Sequence, residues 1–162
     1  MAFFLTCPIG LVMLLFFLSP VVVAQGPIPP TADPFYIPPE GYERESPGTI
    51  LRHRPMPYPL ADAPSNFEVG YQLLYRTTDA LGNAQATVTT LLVPQNADPS
   101  KYLSYQTFED AAFTNCAPSY GLQKGAINGS TLEIVFISIA LQHGWYVSVP
   151  DCKCNSPQYP IH

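Results

Sequence analysis

From Phe67 onward the chain alternates: Val69, Tyr71, Leu73 and Tyr75 fall on one side of an extended segment, with Glu68, Gly70, Gln72 and Leu74 on the other and Thr77 and Thr78 following. A period of two over that length is the signature of a half-buried β-strand. Asp79, Gly82 and Asn83 mark a reversal, and residues 86–93, rich in Val and Thr and stopped by Pro94, predict a second strand, so the two form a hairpin. A third, short strand is expected over 102–108. Over 131–143 the pattern changes to that of a helix. Ser130 followed by Glu133 has the spacing of a capping box at its start, and Gly144 suits the left-handed position just past its end. Leu132, Val135, Phe136, Ile139 and Ala140 supply its apolar face, and Ile134, Ile137 and Leu141 widen that face, so the helix needs cover on more than one side. Residues 145–149 follow at once as a strand.

Strand, helix and strand in that order predict a right-handed crossover joining parallel strands. A hairpin leading into a βαβ unit opens a mixed α/β sheet. The strand over 145–149 is expected to keep an open edge in that sheet, which would leave the fold marginal or prone to aggregate.

The chain divides into four stretches. Residues 2–24 hold no charge and are dominated by Phe, Leu and Val, interrupted by Pro20, and Val22, Val23 and Ala24 are small enough for cleavage before Gln25. This predicts an export signal over 1–24, with an uncleaved membrane anchor as the alternative and no stable membrane span once the signal is removed. Residues 25–64 contain eleven of the nineteen prolines and few periodic apolar positions. Proline fixes φ and lacks a donor, so 25–65 is expected to form an extended arm lying across a surface, anchored by Phe35, Tyr36, Tyr42 and Tyr58, and excluded from the middle of a sheet. Residues 66–151 carry the globular pattern. Residues 152–162 show no periodicity.

Composition narrows the function. Only 7 Lys and Arg against a net charge of −5 give no basic stripe to neutralise phosphates, which argues against nucleic acid as a partner. A hydrophobic fraction of 47% is too high for a disordered chain. Cys7 leaves with the signal, so Cys116, Cys152 and Cys154 form an odd set for an oxidising compartment, and at least one has no partner within the chain. Cys152 and Cys154 without a second ligand pair do not make a zinc site. No cofactor is expected. Asn128, Gly129 and Ser130 form a glycosylation acceptor, consistent with secretion to the outside of the cell.

Four segments, DPFYIPPEGY over 33–42, YQLLYRTTDALGNAQATVTTLLVP over 71–94, SYQTFEDAAFTNCAPSY over 104–120 and IALQHGWYVSVPD over 139–151, occur in the order of a known family. Together they resemble the N-terminal portion of the fungal secretory lipases, α/β-hydrolases of the Candida antarctica lipase A type. The resemblance runs from Asp33 to Asp151, and the 104–120 loop is its most specific part. It implies the first part of an α/β-hydrolase fold, ending before the nucleophile elbow. It also implies hydrolysis of triacylglycerols and related lipid esters by a Ser-His-Asp triad with an oxyanion hole.

On that resemblance Asp110 corresponds to an oxyanion-hole residue. Because an ionised carboxylate would repel the developing oxyanion, it would act through its backbone N–H or as a protonated acid. Cys116 corresponds to a cysteine whose disulfide partner lies beyond His162. The triad is not present: no serine sits in G-x-S-x-G, and His53, His143 and His162 lie outside the chain order of that fold. Two functions therefore stand side by side for these residues. One is a secreted triacylglycerol lipase of which this is an incomplete copy, inactive alone. The other is a non-catalytic secreted fragment that binds lipid or a partner. Oligomeric state is left open.

Overall fold

The computed structural model describes residues 26–108, 113–126 and 131–151. The predicted hairpin is the frame of the structure. β2 (Phe67–Thr78) and β3 (Ala84–Pro94) pair antiparallel from Phe67 opposite Pro94 to Thr78 opposite Ala84. Asp79 builds the turn between them: its Oδ1 accepts from Leu81 N at 2.9 Å and Asn83 N at 2.8 Å, and its Oδ2 accepts from Asn83 Nδ2 at 2.9 Å. Those hydrogen bonds, the Asn83 side chain's first, hold the Asp79 carboxyl below its ordinary range.

Three further strands complete a five-stranded sheet in the order β1-β2-β3-β5-β4. β1 (Ile50–Pro55) pairs antiparallel with β2, β5 (Tyr146–Pro150) pairs antiparallel with β3, and β4 (Tyr102–Ser104) pairs parallel with β5. The β4 to β5 connection contains α2 (Thr131–Gln142), so the expected βαβ unit is present.

Two sequence expectations change here. The strand after α2 does not keep an open edge, because β3 pairs with it, Thr90 opposite Val149 and Leu92 opposite Val147. The open edges belong to β1 and to the three-residue β4. A strand also forms inside the proline-rich stretch, where Arg54 stands opposite Gln72 and Pro55 opposite Tyr71. Proline is compatible with that position because β1 is an edge strand.

The core lies on one face of the sheet. Leu92, Val147 and Val149 meet Ile134, Ile137 and Leu141 of α2, with Leu60 and Leu122 filling the space beside them. The helix buries Ile134, Ile137, Ala140 and Leu141 and leaves Leu132, Val135, Phe136 and Ile139 between 45 and 61% exposed. The sequence expectation had that second stripe as the principal face. A helix apolar all round has no period that selects a side, so the selection falls to the short connection into β5. Gly144 ends the helix as expected, at φ 77°. Trp145 N donates to Ala140 O at 3.1 Å and Gly144 N to Leu141 O at 2.9 Å, the paired bonds of a left-handed helix end. Asn66 Nδ2 covers Leu141 O at 2.5 Å.

Candidate functional site

In open α/β sheets ligands bind beyond the carboxyl ends of parallel strands, where loops converge. Here those ends are Ser104 of β4 and Pro150 of β5. After β4 the described chain makes a 3-10 turn at Thr114–Cys116 and enters the short helix α1 (Pro118–Gly121), all four residues of which are buried. Asp151 follows β5 directly. The two exits meet at Ser119 and Asp151. Ser119 N donates to Asp151 Oδ1 at 2.8 Å and Ser119 Oγ to Asp151 Oδ2 at 2.7 Å, so one carboxylate grips one residue by backbone and side chain together.

The network extends from there. Ser119 O accepts from Gln72 Nε2 at 2.6 Å and from Gln123 Nε2 at 2.9 Å. Tyr36 OH lies 2.7 Å from Ser119 Oγ, and since the serine proton goes to Asp151, the tyrosine is the donor. Arg54 Nε donates to Gln72 Oε1 at 2.7 Å, and its Nη2 meets Asp33 Oδ2 at 2.5 Å. The Arg54 guanidinium also stacks over the Phe35 ring, 4.0 Å from its centre, and Asp33 Oδ1 accepts from Phe35 N at 2.9 Å. One connected set of hydrogen bonds thus joins the arm, β1, β2, α1 and the end of β5. Burial, and then the charge of Asp151, push the Tyr36 phenol far above its ordinary value.

These hydrogen bonds fix the groups relative to one another. Ser119 is 0% exposed and donates its hydroxyl hydrogen bond to the Asp151 carboxylate, so its Oγ is turned away from solvent. Among the described histidines, His53 is exposed on β1 and His143 is exposed after α2, and neither is hydrogen-bonded to Ser119; His162 lies outside the described residues. Among the described residues no three His, Cys, Asp or Glu side chains gather closely enough to hold a metal ion.

A second anchorage lies at the exit of β4. Tyr105 N extends the parallel pairing to Ser148 O at 2.8 Å. Tyr105 OH then donates to Glu133 Oε2 at 2.5 Å and Phe108 N to Glu133 Oε1 at 2.9 Å. Glu133 sits in the first turn of α2, as a capping-box residue would, and both its oxygens reach the β4 exit. Ser130, the other half of the expected box, lies outside the described residues.

Asp110, Asn128, Cys152 and Cys154 lie outside the described residues as well. Cys116 is half-buried in the turn before α1 and free among the described residues. The Ser119–Asp151 pair was missed because an elbow search discards any serine without flanking glycines. Gln72 was the available signal: a polar residue between Gly70 and Leu74, on the buried side of a strand, has to find partners.

No protein-family model matches the chain. It is 45% identical to Lipase A of Arthroderma benhamiae, in an alignment covering 86% of this chain and 34% of that protein. To Lipase 5 of Candida albicans it is 41% identical, with 93% of this chain and 34% of that one covered. The X-ray structure of Candida antarctica lipase A in its closed state superposes with a TM-score of 0.70 at 34% identity, over 78% of this chain and 30% of that one. The chain spans about a third of the length of the curated relatives it matches.

Proposed function

Given that the chain belongs to the lipase A-like family of α/β-hydrolases, we propose that these residues serve the hydrolysis of carboxylic esters in triacylglycerols and related lipids. One observation carries this reading furthest: the loop after β4 returns to the carboxyl end of the parallel strand β5 and is fastened there by Ser119 and Asp151. Asp110 belongs to that loop by sequence. In the proposed reaction it lies at the oxyanion position, where a backbone N–H or a protonated carboxyl stabilises the tetrahedral intermediate.

On this reading the attacking serine, its histidine base and the orienting aspartate belong to a longer chain, as these 162 residues hold no G-x-S-x-G. On this reading the residues in hand form one wall of the site and are silent by themselves. Cys116 awaits a disulfide partner elsewhere in a longer chain. Residues 1–24 direct export, residues 25–65 act as an arm, and Asn128 carries a glycan. The exposed apolar stripe of α2 favours a second reading, a secreted fragment that binds lipid or a partner without turnover.

A chimera separates the two. Residues 26–151 are put in place of the matching third of Arthroderma benhamiae Lipase A, and hydrolysis of short- and long-chain esters is measured. Turnover within about tenfold of the parent enzyme, a transition-state difference of about 1.4 kcal/mol, is expected. A folded chimera that binds lipid but hydrolyses neither ester contradicts the lipase reading and favours the binding fragment.

A further inference from the structure

We propose that Glu133 is a positioning residue for the loop that leaves β4, and that it sets the course of the chain toward Asp110. The inference rests on the lipase reading above, because that reading gives the loop its chemistry. The geometry is independent of it. Regular pairing ends where Tyr105 N reaches Ser148 O. Beyond that point, among the described residues, the hydrogen bonds that fasten the segment to the rest of the fold are the two to Glu133, from Tyr105 OH and Phe108 N. Gln106 only bonds back to Ser104 Oγ, at 3.2 Å, and Thr107 Oγ1 is buried with no hydrogen-bond partner among the described residues. Tyr105 packs against the core, but Phe108 is 81% exposed, so packing holds the start of the segment and not its end.

Glu133 is well placed for this work. It is 3% exposed, and its backbone is fixed within α2, whose neighbouring Ile134 and Ile137 are core residues. A carboxylate has acceptor sites on both oxygens, so it holds a phenol and an amide three residues apart and fixes the segment between them. A single-acceptor side chain would leave one of the two free to rotate. Burial, followed by the hydrogen bond to Glu133, pushes the Tyr105 phenol up to about 12, as expected of a donor held by a carboxylate. Phe108 precedes Asp110 by two residues, so an error in the direction of the chain at Phe108 is carried directly into the proposed oxyanion position.

The test uses this chain with Glu133→Ala and Glu133→Gln, read by amide hydrogen exchange resolved to single residues and by alkaline titration of Tyr105. In Glu133→Ala the Phe108 amide is expected to exchange about tenfold faster or more, the loss of one charge-assisted hydrogen bond. Amides of the β2–β3 pairing keep their protection, and the Tyr105 phenol falls back toward its ordinary value. Glu133→Gln retains one carbonyl acceptor and restores most of the Phe108 protection. An unchanged Phe108 amide in Glu133→Ala overturns the proposal. So does a loss of protection spread equally over α2 and the hairpin, which would mark Glu133 as general support for the fold. None of these readouts depends on hydrolysis, so a silent chimera with an ordered 105–108 segment would count against the lipase reading and leave the role of Glu133 standing.

Discussion

The core face of the sheet is covered in two ways, one polar and one apolar. Over β1, β2 and the end of β5 the cover is the arm and α1, held by the connected hydrogen bonds of Asp33, Arg54, Gln72, Tyr36, Ser119 and Asp151. Over β3 and β5 it is α2, which packs one stripe into the core and presents a second apolar stripe to solvent. The first region pairs the polar groups of Gln72, Ser119 and Asp151 with one another. The second does not bury its own apolar surface, and an exposed patch of that kind marks a contact surface or an aggregation liability. The difference teaches where the fold is self-sufficient and where it has capacity for more chain, consistent with a span of about a third of its relatives.

Substitutions can break this contrast. Asp151→Ala removes the acceptor for both the backbone and the side chain of Ser119 inside a buried site, and a loss of about 4 kcal/mol is expected in denaturant unfolding. The same change at an ordinary surface carboxylate should cost under about 0.5 kcal/mol. Within α2 the two stripes should separate cleanly. Ile137→Ala opens a cavity against Val147 and Val149 and is expected to cost about 3 kcal/mol, whereas Ile139→Lys should leave the unfolding free energy within about 0.5 kcal/mol and raise solubility. Equal destabilisation by both would mean that the second stripe is already covered. Tyr36→Phe removes only the outermost donor of the network, and a cost of about 1 kcal/mol is expected.

A further contrast is read in alkaline pH. Burial first and the Asp151 charge second raise the phenols of Tyr36 and Tyr75, and burial followed by Glu133 raises that of Tyr105 to about 12. In the unfolded chain all three ionise near the ordinary value of about 10. Their contribution to stability is therefore complete below about pH 10 and is lost as pH rises from there toward 12, because the unfolded chain releases its protons first. Unfolding followed across that window should show the decline, and Asp151→Ala should shift its onset for Tyr36 and Tyr75 but not for Tyr105.

Much of the frame was legible in the sequence because local patterns determine it. The alternation from Val69 to Tyr75, the Asp79 turn and the Gly144 stop each reported one element, and each element is present. What was not legible depends on long-range pairing. The residues of β1 carry Arg, His and Pro, and nothing local distinguishes them from the rest of the arm, since it is β2 that makes them a strand. The pairing of β5 with β3 joins Val149 to Thr90 across the whole intervening loop, and no period encodes it. The burial of Ile137 over Ile139 follows from the geometry of the βαβ connection, as both are isoleucines on the same helix. The Ser119–Asp151 pair brings together residues 32 apart, and no local pattern in either segment links the two.

The central claim is that this pair is a structural clasp at the edge of the proposed lipid-ester site and not a catalytic couple. It is tested most directly by treating the folded 162-residue chain with a serine-directed phosphonate while following hydrolysis of short- and long-chain esters. No turnover is predicted, and no phosphonate on Ser119, whose Oγ is buried between Tyr36 and Asp151. Hydrolysis that stops when Ser119 is labelled, and that is absent from Ser119→Ala, would contradict the account.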